Sequence, residues 1–432
     1  MTIHTRADRS LIRAHGDSVR YLLVRIEAPA AASGDTRSPV NMSFVLDRSG
    51  SMHGEKIELA REAVLTAIRT LGRHDRFSVV VYDNEIDVVM PSTPAHTEAR
   101  RRAADLLRTI GARGTTALYD GWLRGCEQIA QHLDDESVAR CLLLTDGLAN
   151  VGVTDAGAIT HEATQLAARG VGTTTLGVGY DFDEHLLDAM ATSGRGNFYY
   201  IEQAGQIPDY IASEVGEALE VVARDVTIEL RVPRDVWVTS LNDAPAEWRR
   251  AQGGSAGRFS VGPLVSEQLY EALFELRFPA GDVGDRQELE VRVEDADAVL
   301  APAAGSEGSA TVGFIFAPHP DNDRQERDVE IDRLVAEVYA GRAQREGLEA
   351  QRRGDYARSE RVLRRTARRM RGYAHDDEQI LALSVELDSK AEAYAEPMTA
   401  PAMKDELRMS HNRRWRRDEQ GRAQRRRRAT SR

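Results

Sequence analysis

The stretch Ser43-Phe44-Val45-Leu46-Asp47-Arg48-Ser49-Gly50-Ser51-Met52 decides the fold. It opens as a short apolar run, the pattern of a strand buried on both faces of a parallel sheet. The run stops at a carboxylate, and hydroxyls follow at every second position, Ser49 and Ser51. A helical pattern then begins, with Ile57, Ala60, Val64, Ile68 and Leu71 on one face. A strand that passes through a polar turn into a helix is where open α/β sheets keep ligand sites, at the carboxyl ends of strands. Asp47, Ser49 and Ser51 alternate along an extended turn, so their oxygens can converge on one point. An oxygen-only set suits a hard divalent cation such as Mg²⁺.

Two later stretches supply partners for that turn. Gly114-Thr115-Thr116 lies between two helical patterns, which places a threonine hydroxyl on a loop. Thr115 is the expected ligand and Thr116 the alternative, because spacing does not decide which hydroxyl turns inward. Cys141-Leu142-Leu143-Leu144-Thr145-Asp146-Gly147 is a second buried strand that ends in a carboxylate. A D-x-S-x-S turn alone is as often a solvated Ser/Gly turn. All three parts, in this order and on these elements, resemble the metal-ion-dependent adhesion site (MIDAS) of von Willebrand factor A (VWA) domains. The resemblance covers residues 39–222, and Gly177-Val178-Gly179-Tyr180-Asp181 and Gly194-Arg195-Gly196-Asn197-Phe198-Tyr199 are similar to bacterial members. It implies a Rossmann-like α/β domain holding Mg²⁺ (or Mn²⁺) through Asp47, Ser49, Ser51, Thr115 and Asp146, some of them by way of water. It also implies a coordination position left for an Asp or Glu of a protein partner. Neutral hydroxyls leave the cation's charge poorly compensated and keep it electrophilic toward that acid.

At 432 residues the chain is too long for one ordinary core. An apolar fraction of 41% and a charged fraction of 29% describe a soluble globular protein. The first residues lack the apolar core of a signal peptide, and no run approaches the length of a transmembrane segment, so a cytoplasmic location is the expectation. Cys126 and Cys141 read as core fillers and not as a disulfide framework. The net charge of −12 conceals a strongly basic C-terminus.

Residues 1–38 read as two strands (10–14 and 20–26) and a small-residue linker over 28–38; two strands need a partner elsewhere. Residues 39–222 alternate strands and helices, which means a parallel sheet covered on both faces. Over 223–318 the pattern turns to period two, the spacing of an antiparallel β-sandwich. The first strands are expected to pair into that sandwich, so that the VWA domain is inserted within it. Residues 321–328 read as a charged linker. Residues 327–396 read as a helical hairpin or bundle, and Gly354-Asp355-Tyr356-Ala357 resembles the turn of a tetratricopeptide-like hairpin. Residues 397–432 read as a basic, disordered tail. The fold class is therefore multidomain, α/β plus β plus α.

The expected function is a metal-dependent protein–protein interaction module, an adaptor or scaffold and not an enzyme. The resemblance implies partners such as an ATPase or a kinase/phosphatase signalling protein. One alternative is a metal-dependent hydrolase of the phosphoesterase type. It would need a base beside Asp47, and His53 is the candidate, although a surface histidine at a helix start is commoner. The second position after Asp47 is Ser49, not the aspartate of a phosphotransfer site, and no G-x-S-x-G, Walker or H-E-x-x-H pattern occurs. Arg48 and Asn150 flank the turn as loop residues, and neither cysteine has an accompanying base. A further alternative is a nucleic-acid-associated protein acting through its tail, with Arg413, Arg414, Arg416, Arg417, Arg422 and Arg425–Arg428. That tail has one Trp, Trp415, so weak polyanion binding by phosphate neutralisation is expected rather than base stacking.

Overall fold

The structure is a computed structural model that describes residues 2–31, 37–251, 253–300, 309–374, 376–418 and 421–425. Part of the 28–38 linker and the last residues of the tail, Arg426–Arg428 among them, lie outside the described residues. The chain opens with β1 (Thr2–Ala7), β2 (Leu11–Arg13) and β3 (Ser18–Glu27). There follow β4 (Val40–Asp47), α1 (Glu55–Thr70), β5 (Arg76–Tyr82), β6 (Ile86–Pro94), α2 (Thr97–Leu107) and α3 (Leu118–Ala130). Next come β7 (Val138–Thr145), α4 (Ala156–Ala168), β8 (Val171–Val178), α5 (Glu184–Ser193), β9 (Arg195–Ile201) and α6 (Ile207–Leu219). Strands β10 (Val221–Pro233), β11 (Trp237–Ser240), β12 (Ala246–Ala251), β13 (Gly254–Val265), β14 (Leu269–Phe278), β15 (Arg286–Glu294) and β16 (Ser309–Ala317) succeed them. Helices α7 (His319–Arg324), α8 (Val329–Arg352), α9 (Tyr356–Ala374), α10 (Glu378–Tyr394) and α11 (Ala400–Trp415) complete the order. Residues 1–30 and 222–432 form one compact unit, and residues 31–221 form the other.

Residues 31–221 are built on a six-stranded sheet of order β6-β5-β4-β7-β8-β9, parallel except for β6, which runs antiparallel to β5. All eight residues of β4 and all eight of β7 are buried, as expected of central strands with helices on both faces. Helix α3 presses on this sheet more closely than a side chain would allow. A Cβ at Gly121 would lie 2.5 Å from the Tyr82 ring, and one at Gly125 would lie 2.2 Å from Val45 Cγ2. That contact positions the carboxyl end of β4.

In the other unit, one sheet has the order β1-β3-β14-β11 and a second the order β12-β13-β10-β15-β16-β2. One hydrophobic cluster draws on both: Leu22, Val24 and Ile26 of β3 and Phe274, Leu276 and Phe278 of β14 meet Ile228, Leu289, Val291 and Phe314. Leu23, Leu241 and Leu273 face the opposite way and take the apolar stripe Ile331, Leu334, Val335 and Val338 of α8. Gly354 adopts φ +73° in the turn before α9, and Asp355 caps that helix by accepting from the Arg358 N–H at 3.0 Å.

The tail departs from its sequence reading. Residues 400–415 are helical, and Leu407, Ser410 and Arg414 are buried. Three of its arginines are internal partners: Arg413 reaches Glu386, Arg414 reaches Asp243, and Arg416 reaches Glu271 and Glu337. Beyond α11 the Gln424 carbonyl accepts from the Leu269 N–H at 2.8 Å, which ties the chain to the start of β14. Buried arginines need carboxylates, and this surface supplies them. The 321–328 segment likewise begins in a short helix, α7, whose Asn322 is hydrogen-bonded by the buried Arg20.

Candidate metal centre

Asp47 is the last residue of β4 and is fully buried. Its Oδ1 accepts from the Ser49 backbone N–H at 2.7 Å, and its Oδ2 accepts from the Thr145 hydroxyl at 2.7 Å. The alternation of the turn then lines up the remaining oxygens. Ser49 Oγ lies 3.1 Å from Ser51 Oγ, and Ser51 donates to Asp146 Oδ1 at 2.6 Å. Lys56, in the first turn of α1, places its amine 2.5 Å from Asp146 Oδ2. Asp47 has no cationic partner among the described residues. Burial pushes its carboxyl up to about 6, and the neighbouring Asp146 charge adds to the rise, against the lowering effect of the Ser49 and Thr145 hydrogen bonds.

Of the two candidate threonines, Thr116 lies beside the oxygen cluster. Thr115 is exposed, whereas Thr116 is 4% exposed. Measured from a Cβ position at Gly147, Thr116 Oγ1 lies at 3.3 Å and Ser51 Oγ at 3.8 Å, so both hydroxyls border one spot. The loop is fastened from both sides. The Gly50 N–H donates to the Gly114 carbonyl at 3.1 Å, and the Thr116 N–H donates to Asn150 Oδ1 at 3.2 Å. Gly114 has φ +71° with Asn84 Oδ1 tight against it, a conformation and a space that favour glycine.

Residues that sequence reasoning did not assign complete the surroundings. Thr145 belonged to the quoted strand, and its position before Asp146 was the available signal. Lys56 carried no signal beyond its place early in α1. Asp83 accepts from Arg48 Nε at 3.0 Å and from Arg113 Nε at 2.8 Å, and its carbonyl accepts from the Ala117 N–H at 2.8 Å. It therefore ties the D-x-S-x-S turn to the Thr116 loop. His53 is exposed, with no hydrogen bond to the oxygen cluster among the described residues. Cys126 and Cys141 are free and buried.

The donor set fits a hard divalent ion: carboxylates and hydroxyls only, with a desolvated carboxylate that lacks a counter-charge. Asp47, Ser49, Ser51 and Thr116 would hold it, with Asp146 alongside.

Residues 41–213 match the model of one protein family, described as von Willebrand factor type A domain. Among curated proteins, the chain is 27% identical over 240 residues to the Uncharacterized protein YfbK of Escherichia coli (strain K12), covering 55% of this chain and 41% of that one. It is 30% identical over 200 residues to the Uncharacterized protein sll0103 of Synechocystis, covering 46% of each. It is also 31% identical over 172 residues to human inter-alpha-trypsin inhibitor heavy chain H4, covering 38% of this chain and 18% of that one. The chain thus spans less than half the length of these relatives. Among solved structures, it is similar to a von Willebrand factor type A protein from Catenulispora acidiphila (TM-score 0.67, 18% identity, 90% and 96% covered). The ArnB paralog VWA2 from Sulfolobus acidocaldarius is similar too (TM-score 0.61, 15% identity, 96% and 97% covered). At these identities the likeness is one of fold, and it extends beyond residues 41–213.

Proposed function

We propose that this chain, whose residues 41–213 match the von Willebrand factor type A domain model, is a metal-dependent protein–protein interaction module, an adaptor or scaffold. Asp47 carries the reading: it is a buried carboxylate without a counter-charge, at the end of a central strand, beside hydroxyls and a second acid. A bound Mg²⁺ or Mn²⁺ would supply a positive centre able to take a carboxylate oxygen of a partner's Asp or Glu. The chain's own residues do the rest. Thr145 and the Ser49 N–H orient Asp47, Ser51 and Lys56 hold Asp146, and the Asp83 tie keeps Thr116 in register. Ser51 is exposed, so the cluster opens to solvent on that side.

The surroundings also suit docking. Leu148, two residues after Asp146, is 53% exposed. Tyr180 is 43% exposed and follows Gly179, which lies against Lys56. Exposed apolar side chains beside an acid-seeking cation are features of a binding face. Strands β1 and β3 share a sheet with β14, which supports reading the other unit as a sandwich interrupted by the VWA domain and extended by α8–α11.

The test is capture of partners by the full-length protein in Mg²⁺ and in EDTA, with Asp47→Ala alongside. Partners retained in Mg²⁺, lost in EDTA and absent from the variant support the reading. Partners retained equally in all three would overturn it.

A further inference from the structure

Helix α9 is the most basic element of the described chain, with seven arginines and one glutamate in a protein of net charge −12. Its buried line is Ser359, Leu363, Ala367 and Met370. At about 100° per residue, Arg361, Arg365 and Arg368 project roughly opposite that line. All three are exposed, and none has a hydrogen bond, ion pair or ring contact among the described residues.

The other four arginines lie on the two flanks and are satisfied there. On one flank, Arg358 meets Glu346 of α8 at 3.0 Å, and the Arg369 guanidinium lies 5.0 Å from the Tyr339 ring centroid. On the other, Arg371 pairs with Asp388 of α10 and Arg364 with Glu360 at 2.7 Å. The helix thus binds carboxylates of the helix on each side and leaves a third, outward row of arginines open. Of the tail arginines, Arg413, Arg414 and Arg416 are held by internal acids and do not compete for this role.

We propose that Arg361, Arg365 and Arg368 form a docking face for an acidic helix of a partner protein. The three sites step along the axis by about 6 Å and then about 4.5 Å, the spacing of i, i+4 and i+7 on any α-helix. A partner helix with Asp or Glu at those positions, laid parallel, repeats the pairing that both flanks already use. Guanidinium and carboxylate match in bidentate geometry. A nucleic acid fits less well, because no exposed aromatic residue lies along the row to stack a base.

The experiment uses the full-length protein in EDTA, which separates this face from the metal centre. The probe is a labelled synthetic helical peptide with glutamates at i, i+4 and i+7. The comparators are a peptide of equal composition with its glutamates spread around the helix, oligothymidylate, and phosphatidylserine vesicles. The row peptide is expected to bind saturably, more tightly than the spread peptide, and more weakly as salt rises. Binding should fall by about tenfold or more in the Arg361→Gln/Arg365→Gln/Arg368→Gln variant. The variant should melt like the parent, because the replaced side chains are exposed and make no hydrogen bond or ion pair among the described residues. Equal binding of the two peptides, a preference for oligothymidylate or vesicles, or no difference between variant and parent would overturn the proposal.

Discussion

The Lys56 ammonium lies 2.5 Å from one oxygen of Asp146, while the other oxygen accepts the Ser51 hydroxyl at 2.6 Å. Asp146 therefore already carries a fixed cation of the chain's own, and a divalent ion entering the cluster must share that carboxylate with Lys56. Removing the like charge should strengthen cation binding. Lys56→Met is expected to raise Mn²⁺ affinity by about three- to tenfold, measured by calorimetry at low salt. Weaker binding in the variant would show that Lys56 supports the cation and does not oppose it.

Asp47 sets a pH dependence. Its folded carboxyl titrates at about 6 against an ordinary 3.8, so the native state holds a proton that the unfolded state has lost between those values. The destabilisation is present in full above pH 6 and is relieved as pH falls through 6 toward 3.8. Asp47→Asn should therefore stabilise the metal-free protein near neutrality by about 2–3 kcal/mol, an advantage that shrinks as the pH falls through that window. Denaturant unfolding of both proteins between pH 7 and 5 reads this directly. A constant difference between them would contradict it.

The two threonines should separate cleanly. Thr116 is buried beside Ser51 and Gly147, and Thr115 is exposed. Thr116→Ala is expected to weaken Mg²⁺ or Mn²⁺ binding by about tenfold, the order of one lost hydroxyl contact to a charge. Thr115→Ala should leave it unchanged. The reverse ranking in parallel titrations would restore Thr115 as the ligand.

Truncation at residue 399 should cost stability instead of merely removing positive charge. Helix α11 buries Leu407 and Arg414, and its removal takes one arginine partner from each of Asp243, Glu271 and Glu386, which keep Arg342, Arg25 and Lys390. Lost apolar burial and the lost ion pairs together are expected to cost about 3–5 kcal/mol. A truncated protein with the melting temperature of the full chain would show that the helix is dispensable.

The legibility of the chain follows how each segment is buried. Strand β5 is readable because a strand buried on both faces is an almost continuous apolar run, broken here only by Ser78. Strand β12 is not, since its exposed residues show no alternation. Helix α11 buries Lys404, His411, Asn412 and Arg414, which lie under the surface only because partners satisfy them, so polarity disguises its inner face. In the site, Asp47, Ser49, Ser51 and Asp146 were legible as chemistry at strand ends. Thr116 was legible only as the alternative to Thr115, and Lys56 not at all, because loop hydrogen bonds and side-chain reach decide them and neither has a period.

The most direct test of the central claim is a calorimetric titration of Mg²⁺ and Mn²⁺ into the full-length protein and into Asp47→Ala, with a melting curve of each. One saturable site in the parent, lost in a variant that still unfolds cooperatively, is the predicted result. No saturable binding by the parent, or equal affinity in the folded variant, would contradict the assignment of this turn as a cation site.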